Sequence, residues 1–575
     1  MVDLVARAAA AAPNRPAFAI RSADGFTDVS IGEFEARVDA VAAGLMASGV
    51  ERGDRIALMS RTRLEWMLFD VAIMRAGAVT VPIYDTSSAE QVEWIVTDSG
   101  SVMVVVEDDD MRALAAPVVA ASAQCREVVV IEDGAESALT ARGTHVVRST
   151  VDERAALVRA DDVATIIYTS GTTGRPKGCV LTHRNLRANV MQSSAAVAPA
   201  LRPGDSGMMF LPLAHVLTKA YGLFCLEHQM RLAFASDITH LADEFPLARP
   251  TIIAGVPRIF EKVYAGARQK AVDGGKGAIF ERAADVAIAW SQQRVAGRVR
   301  PTTALLHLIF DRLVYGRIRA AFGGHLRFAF SGGGPLGERL THFFAGVGLD
   351  VYEGYGLTET SPLLTINRPG SWKPGTVGQV VAGTELAIAS DGEILARGPQ
   401  VFSGYWNNDE ATREAFVDGW FRTGDIGAVD EKGFVRITGR KKELIVTAAG
   451  KNVAPAPLED RLRAAGLISQ ALVVGEGRQY VAALVTLDEE ALAAWCAARG
   501  RSVDSITDDA ELQAEIQSAV DAANRSVSRA ESIRKFAILP VDFTVEAGEL
   551  TPTLKVRRSI VERKYADVIE GLYAT

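Results

Sequence analysis

From about residue 30 to residue 360, short apolar runs alternate with longer stretches whose apolar positions recur every three or four residues. The runs at 55–59, 79–84, 102–106, 128–131, 164–168, 208–211, 251–254 and 326–330 read as buried strands. Helical spacing fills 31–48, 63–76 and 89–99 between them. Strand and helix in turn predict α/β layers with mostly parallel strands, because a parallel pair needs a crossover long enough to hold a helix. Residues 257–322 break that rhythm. Their pattern is largely helical with no convincing strand, and they read as a helical excursion hung on the α/β body.

The character changes after Gly383. Two short strands, 386–389 and 393–397, flank Ser390-Asp391-Gly392, where Asp and Gly accept the backbone angles of a tight hairpin. A strand at 434–438 leads into Gly439-Arg440-Lys441-Lys442. Beyond it a fresh set of elements begins: a helix near 458–465, strands at 471–474 and 480–487, and helices through 489–500 and 509–531. A chain of 575 residues exceeds the roughly 250–300 at which one hydrophobic core stops growing. We therefore expect an N-terminal domain, 1–438, of layered α/β subdomains plus a β-rich subdomain, and a small α+β C-terminal domain, 439–575. There is no internal repeat and no low-complexity segment.

Composition narrows the classes. Apolar residues make up 48% and charged residues 23%, ordinary for a globular protein. A net charge of −8 gives no global field toward nucleic acid, which is not expected as a partner. The four cysteines, Cys125, Cys179, Cys225 and Cys496, show no metal-ligand spacing and suit a reducing compartment. The start of the chain has Asp3 where a signal peptide wants positive charge, and reads as a surface helix ending before Pro13. No run approaches the roughly 18 apolar residues of a transmembrane segment, so a cytoplasmic protein is expected.

The sharpest local feature is Tyr168-Thr169-Ser170-Gly171-Thr172-Thr173-Gly174-Arg175-Pro176-Lys177-Gly178, between an apolar strand and a helical pattern starting near Thr182. Glycines let backbone approach phosphate oxygens, hydroxyls donate hydrogen bonds, and Lys177 adds charge. It is not a Walker A loop, because Pro176 and Gly178 flank the lysine where that motif needs Gly and Ser or Thr.

This loop resembles the signature of the acyl-adenylate-forming superfamily, which includes acyl-CoA synthetases, luciferases and peptide-synthetase adenylation domains. Further blocks follow in that family's order: Pro212-Leu213-Ala214-His215, Ser331-Gly332-Gly333-Gly334-Pro335-Leu336, and Tyr352-Glu353-Gly354-Tyr355-Gly356-Leu357-Thr358-Glu359-Thr360. Then come Gly419-Trp420-Phe421-Arg422-Thr423-Gly424-Asp425, Gly439-Arg440-Lys441-Lys442-Glu443 and Leu550-Thr551-Pro552-Thr553-Leu554-Lys555.

The resemblance implies a two-step reaction: a carboxylate and ATP-Mg²⁺ give acyl-AMP and pyrophosphate, and after rotation of a mobile C-terminal domain a thiol gives thioester and AMP. It implies that Thr169, Ser170, Gly171, Thr172, Thr173, Gly174 and Lys177 cradle the β- and γ-phosphates. Thr358 would touch the α-phosphate and Glu359 would help hold Mg²⁺. Gly333, Gly354, Tyr355 and Gly356 match an adenine slot, Asp425 the carboxylate for the ribose hydroxyls, and Arg440 its support. Lys555 would act as a fixed cation on the attacking carboxylate and α-phosphate, with no need of a shifted pKa. Lys442 matches the hinge, Gly450 the face along which a pantetheine arm passes, and His215 a place between acyl site and thiol channel.

The excursion at 257–322, entered through Gly255-Val256-Pro257-Arg258-Ile259-Phe260, is similar to that of bacterial long-chain fatty acyl-CoA synthetases. Phe210, Tyr221, Phe224 and Phe330 are candidates equally for an acyl-tunnel wall or for core, and Lys219 for a tunnel entrance. A fatty acyl-AMP ligase, loading a carrier protein, is the principal alternative, with a CoA ligase for a medium-chain or aryl acid beside it. Only a short stretch separates Glu359 from Gly375-Thr376-Val377-Gly378, without the insertion of the acyl-AMP ligases, which favours coenzyme A as acceptor. The basic residues Arg557, Arg558, Arg563 and Lys564 suit either its nucleotide end or a solvated helix face. Loose association with a membrane surface stays open because the substrates are lipids, and the oligomeric state, monomer or homodimer, is not read from sequence.

Overall fold

The structure, a computed structural model, describes residues 1–169, 175–448, 450–503, 506–525, 527–529, 531–545, 547–551 and 554–574, without the side chain of Asp508. The expected strands form a sheet in the spatial order Glu127–Val130, Ser101–Val106, Arg55–Met59, Val79–Ile83, Val163–Thr169, all parallel. Lys177–Thr182 closes it antiparallel to Val163–Thr169, with Thr169 opposite Lys177. This last strand was not foreseen, because its polar start merges with the Thr/Gly-rich loop. The helix after it runs from His183 to Val197, and the Asn185 N–H donates to the Thr182 hydroxyl that caps it. Leu64–Arg75 is buried except at Glu65, which is why its sequence is apolar on most faces, with Asp70 and Arg75 the buried charges.

A second sheet sets Ile252–Gly255, Phe328–Ser331 and Asp350–Gly356 side by side and parallel, with Leu363–Ile366 and Gln379–Val380 antiparallel beyond them. The three parallel strands therefore end at one edge, where loops from several elements meet. A third sheet joins Ser206–Met209 and Arg231–Phe234 to an N-terminal hairpin, Pro16–Ser22 with Gly25–Ser30. That hairpin lies before the region where the apolar rhythm begins. Between the second sheet's first two strands come Pro257–Asp273, Gly277–Val295, Pro301–Phe310, a π-helical turn Asp311–Tyr315 and Gly316–Ala321, all helical as expected. Phe245, Phe260, Phe322 and Phe344 lock this excursion to the sheet, Phe260 meeting Phe344 edge-on at 5.6 Å.

The β-rich part holds Glu385–Ile388, Glu393–Arg397, Trp420–Val429 and Phe416–Val417, with Val435–Arg440 paired to Trp420–Val429. From Ile445 onward the buried side chains cluster only with one another, around the sheet Ile468–Val474, Val481–Leu487, Ile533–Ile538. Two differences from the sequence reading fall here. The helix starting at Ala510 ends at Asn524 rather than 531, and Ile533–Ile538 is an unforeseen strand whose Arg534 and Lys535 hide its apolar character.

Lys219 does not face an entrance. It is buried in the helix Val216–Glu227, its ammonium 2.5 Å from the equally buried Asp70 carboxylate and 5.5 Å from the Trp66 ring. Removing one partner strands a charge in low dielectric, so Asp70→Ala is expected to lower unfolding stability by about 3–5 kcal/mol. Replacing both partners together, Asp70→Leu with Lys219→Met, should cost clearly less, as read by chemical denaturation.

Candidate active site

The carboxyl ends of the three parallel strands open into a cleft of about 3020 Å³ between the large N-terminal part and the segments after Lys441. Two glycines shape its floor. Gly333, in the loop after Phe328–Ser331, has φ of +82°, and a β-carbon on Gly356 would overlap the Pro362 carbonyl oxygen. Gly354, Tyr355 and Gly356 form the end of Asp350–Gly356 and line the cleft.

Thr358 and Glu359 sit in a single 3₁₀ turn, Thr358–Thr360. The turn is fastened from two sides: the Leu357 N–H donates to the Thr360 hydroxyl at 3.0 Å, and the Phe402 N–H donates to the Glu359 carbonyl at 2.8 Å. The Tyr405 hydroxyl donates to Glu359 Oε1 at 2.8 Å, and Glu359 lines the cleft. Burial, and then the Glu359 charge, drive the Tyr405 pKa up, so this phenol stays a donor. The same ring lies 5.4 Å from the Lys177 ammonium. Tyr405 is held there because the Val180 N–H donates to Gly404 O and the Trp406 N–H to Gly178 O, laying 404–406 along Lys177–Thr182. Thr169 and Lys177 both line the cleft; Ser170, Gly171, Thr172, Thr173 and Gly174 lie outside the described residues.

Asp425 and Arg440 face each other across two paired strands. Arg440 Nε is 3.0 Å from Asp425 Oδ1, and the Tyr355 hydroxyl donates to Oδ2 at 2.7 Å. Asp425 is buried, and burial followed by this carboxylate raises the Tyr355 pKa. Tyr355 thus ties the adenine-slot candidate to the ribose candidate.

Lys555 comes from the far side. It sits on a tight turn in which the Thr551 N–H donates to the Lys555 carbonyl at 2.8 Å and the Lys555 N–H to the Thr551 hydroxyl at 3.0 Å. Its Cε lies 3.8 Å from where a side chain on Gly333 would begin. The side chain meets cleft water, yet both parts of the protein surround it. That enclosure, then the like charge of Arg440, lowers its pKa to about 8. The shift was not expected from the sequence. Among the described residues no carboxylate stands within ion-pair distance of its ammonium.

His215 caps the helix Val216–Glu227, its Nδ1 accepting from the Leu217 N–H at 3.2 Å. Burial, then Lys555, push its pKa down to about 3, so the ring is neutral with its proton on Nε2. Beside it Tyr221, Phe224 and Phe330 line the cleft, whereas Phe210 packs edge-on against Phe245 in the core.

Lys442 lies exposed on the rim in the turn Lys441–Glu443. Its neighbour Lys441 carries the tethering contacts, 2.5 Å to Asp391 and 3.0 Å to Glu393. Gly450, with φ of +75°, sits on an exposed turn away from the cleft. In the basic cluster, Arg558 pairs with Glu459 at 2.5 Å and Lys564 with Glu549 at 2.7 Å, so neither is a free surface cation. The sequence reading missed Tyr405; the aromatic run Phe402-Ser403-Gly404-Tyr405-Trp406 was its visible signal.

No cluster of three or more His, Cys, Asp or Glu able to cage a metal occurs among the described residues. Thr358 and Glu359, both lining the cleft, offer hard oxygen donors suited to Mg²⁺ arriving with a polyphosphate that supplies most of the remaining ligands.

A family model described as AMP-binding enzyme matches residues 5–406, and one described as AMP-binding enzyme C-terminal domain matches residues 442–575. Long-chain-fatty-acid–CoA ligase FadD15 of Mycobacterium tuberculosis is 50% identical over 561 residues, covering 96% of this chain and 94% of the relative. Long chain acyl-CoA synthetase 7, peroxisomal, of Arabidopsis thaliana is 31% identical, covering 95% of this chain and 81% of the relative. Among solved structures, ATP-bound MatB from Rhodopseudomonas palustris superposes with a TM-score of 0.72 at 25% identity, covering 99% of each chain.

Since Arg440 repels Lys555 while Asp425 attracts it, Arg440→Gln is expected to raise the Lys555 pKa above about 8. Competitive acylation of the lysine across pH, read by mass spectrometry, checks this; an unchanged or lower midpoint counts against the arrangement.

Proposed function

The chain belongs to the AMP-binding enzyme family, and from that premise we propose that it is an ATP-dependent long-chain fatty acid–CoA ligase. The observation that carries the reading is the approach of Lys555 to Gly333 across the cleft, beside His215, Thr358, Glu359 and Asp425. An acid activated by ATP needs a cation at the α-phosphate that is withheld from any other counter-ion, and Lys555 answers that need. Val197, Ala220, Phe224, Ile288 and Phe330 give the cleft an apolar wall suited to an alkyl chain.

In the proposed mechanism Thr169–Gly174 and Lys177 hold the β- and γ-phosphates, and Tyr355 stacks on adenine with Gly333, Gly354 and Gly356 closing the slot. Asp425, oriented by Arg440, accepts from the ribose hydroxyls. Thr358 donates to the α-phosphate. Glu359, steadied by Tyr405, would hold Mg²⁺, which neutralises phosphate charge as pyrophosphate leaves. Lys555 brings the fatty carboxylate against the α-phosphorus; the new O–P bond forms as the bond to pyrophosphate breaks. Neutral His215 positions the acyl carboxylate rather than taking its proton. For the second step the C-terminal domain, 439–575, turns about Lys442 and carries Lys555 away. Gly450 then faces the cleft and leaves the pantetheine arm room. The sulfur of coenzyme A bonds to the acyl carbon, and AMP departs. A cytoplasmic location fits the four buried, unpaired cysteines.

The decisive experiment supplies purified protein with ATP-Mg²⁺ and a fatty-acid panel, with and without coenzyme A. Acyl-CoA formation supports the proposal; acyl-AMP that ignores coenzyme A points to carrier loading and overturns it. Lys555→Ala should slow adenylation about 10²–10³-fold while leaving thioester formation from preformed acyl-AMP within a few-fold. Lys555 is protonated below about 8 and neutral above it, so kcat/KM for ATP should fall as pH rises through about 8. Lys555→Arg should remove that falling limb. Tyr405→Phe should raise the Mg²⁺ requirement about tenfold.

A further inference from the structure

The helix Ala89–Ser99 is fixed at both ends. The Ser88 hydroxyl accepts from the Gln91 N–H while the Gln91 side chain accepts from the Ser88 N–H, and Gly100 closes the helix at φ of +62°. Trp94 and Asp98, four residues apart, share one face of it. Neither lines the cleft, yet both reach the strands that do.

That face meets the two strand ends flanking the Thr/Gly-rich segment. On one side Tyr168, in Val163–Thr169, donates its hydroxyl to Asp98 Oδ2 at 2.5 Å. On the other, the Trp94 indole N–H donates to the Pro176 carbonyl at 2.9 Å, and the Arg175 guanidinium lies 4.8 Å over the same ring. Burial, then the Asp98 charge, raise the Tyr168 pKa, so that phenol stays a donor. The Asp98 carbonyl also accepts from the Trp406 indole N–H and the Asn407 amide, each at 3.0 Å. These two follow Tyr405, whose ring lies by Lys177 and whose hydroxyl holds Glu359. Lys177–Thr182 is the edge strand of its sheet, so its first residues are held by side chains rather than by a further strand.

We propose that Trp94 and Asp98 are positioning residues for the β- and γ-phosphates of ATP, holding Lys177 opposite Thr169 without touching the nucleotide. This role rests on the nucleotide-binding part of the reading above. A lysine on a strand end free to shift meets a polyphosphate in several geometries, and ordering it weakens binding. A lysine braced from behind is already ordered when the ligand arrives. AMP lacks the β- and γ-phosphates, so its binding does not draw on the brace.

The test is isothermal titration of the full chain with ATP-Mg²⁺ and, separately, with AMP. Trp94→Leu and Asp98→Ala should each weaken ATP binding about fivefold to tenfold and leave AMP binding within about twofold of wild type. Asp98→Asn keeps an oxygen for Tyr168, and Trp94→Phe keeps a ring under Arg175; each should weaken ATP binding no more than about threefold. In turnover the KM for ATP should rise with the loss of affinity while that for coenzyme A stays unchanged. Equal weakening of ATP and AMP, or unchanged ATP affinity in Trp94→Leu and Asp98→Ala, overturns the role. Should Trp94→Leu fail to fold, Asp98→Ala and Trp94→Phe carry the same comparison. A wild type that binds neither nucleotide overturns the ligase reading as well, whereas one that binds both and is matched by every variant overturns the brace alone.

Discussion

The Lys555 ammonium is a positive charge set between two parts of one chain with no carboxylate of the described residues at ion-pair distance, and much of the cleft is arranged around that condition. The acids nearby are already engaged, Asp425 by Tyr355 and Arg440, Glu359 by Tyr405. The cation's pKa falls to about 8 because enclosure and Arg440 outweigh the attraction of these acids. A polyanion entering the cleft supplies the counter-charge that no described carboxylate gives Lys555.

Closure across the cleft is correspondingly light. Arg258, at the start of the helical excursion, donates to the Ser469 hydroxyl at 3.0 Å. The Arg258 guanidinium that makes this contact is partly exposed, so it contributes little. The buried cores on either side are separate. A unit with its own core and a few exchangeable contacts can be carried as a rigid body, which is what a two-step reaction sharing one cleft requires.

The excursion serves structure twice. Its aromatic residues pack it against the second sheet, and one of its helices, Gly277–Val295, gives Ile288 and Gln292 to the cleft wall.

The parallel strands, the helical excursion and the chemistry-bearing blocks were legible in the sequence, because apolar period and glycine-rich turns are local properties that neighbouring residues impose on each other. Lys555, Asp425 and Glu359 could be named from their motifs. The strand Lys177–Thr182 and the hairpin Pro16–Ser22 with Gly25–Ser30 escaped, since their apolar residues are interrupted and partners distant in sequence complete them. Tyr405 escaped for the same reason: its place between Lys177 and Glu359 depends on 404–406 lying along a strand more than two hundred residues earlier. Lys219 carried no local sign that Asp70 would bury it. Sequence determined which elements form and which groups could do chemistry. Tertiary structure alone decided which charges meet, because burial and electrostatic pairing depend on distances that only the packed chain establishes.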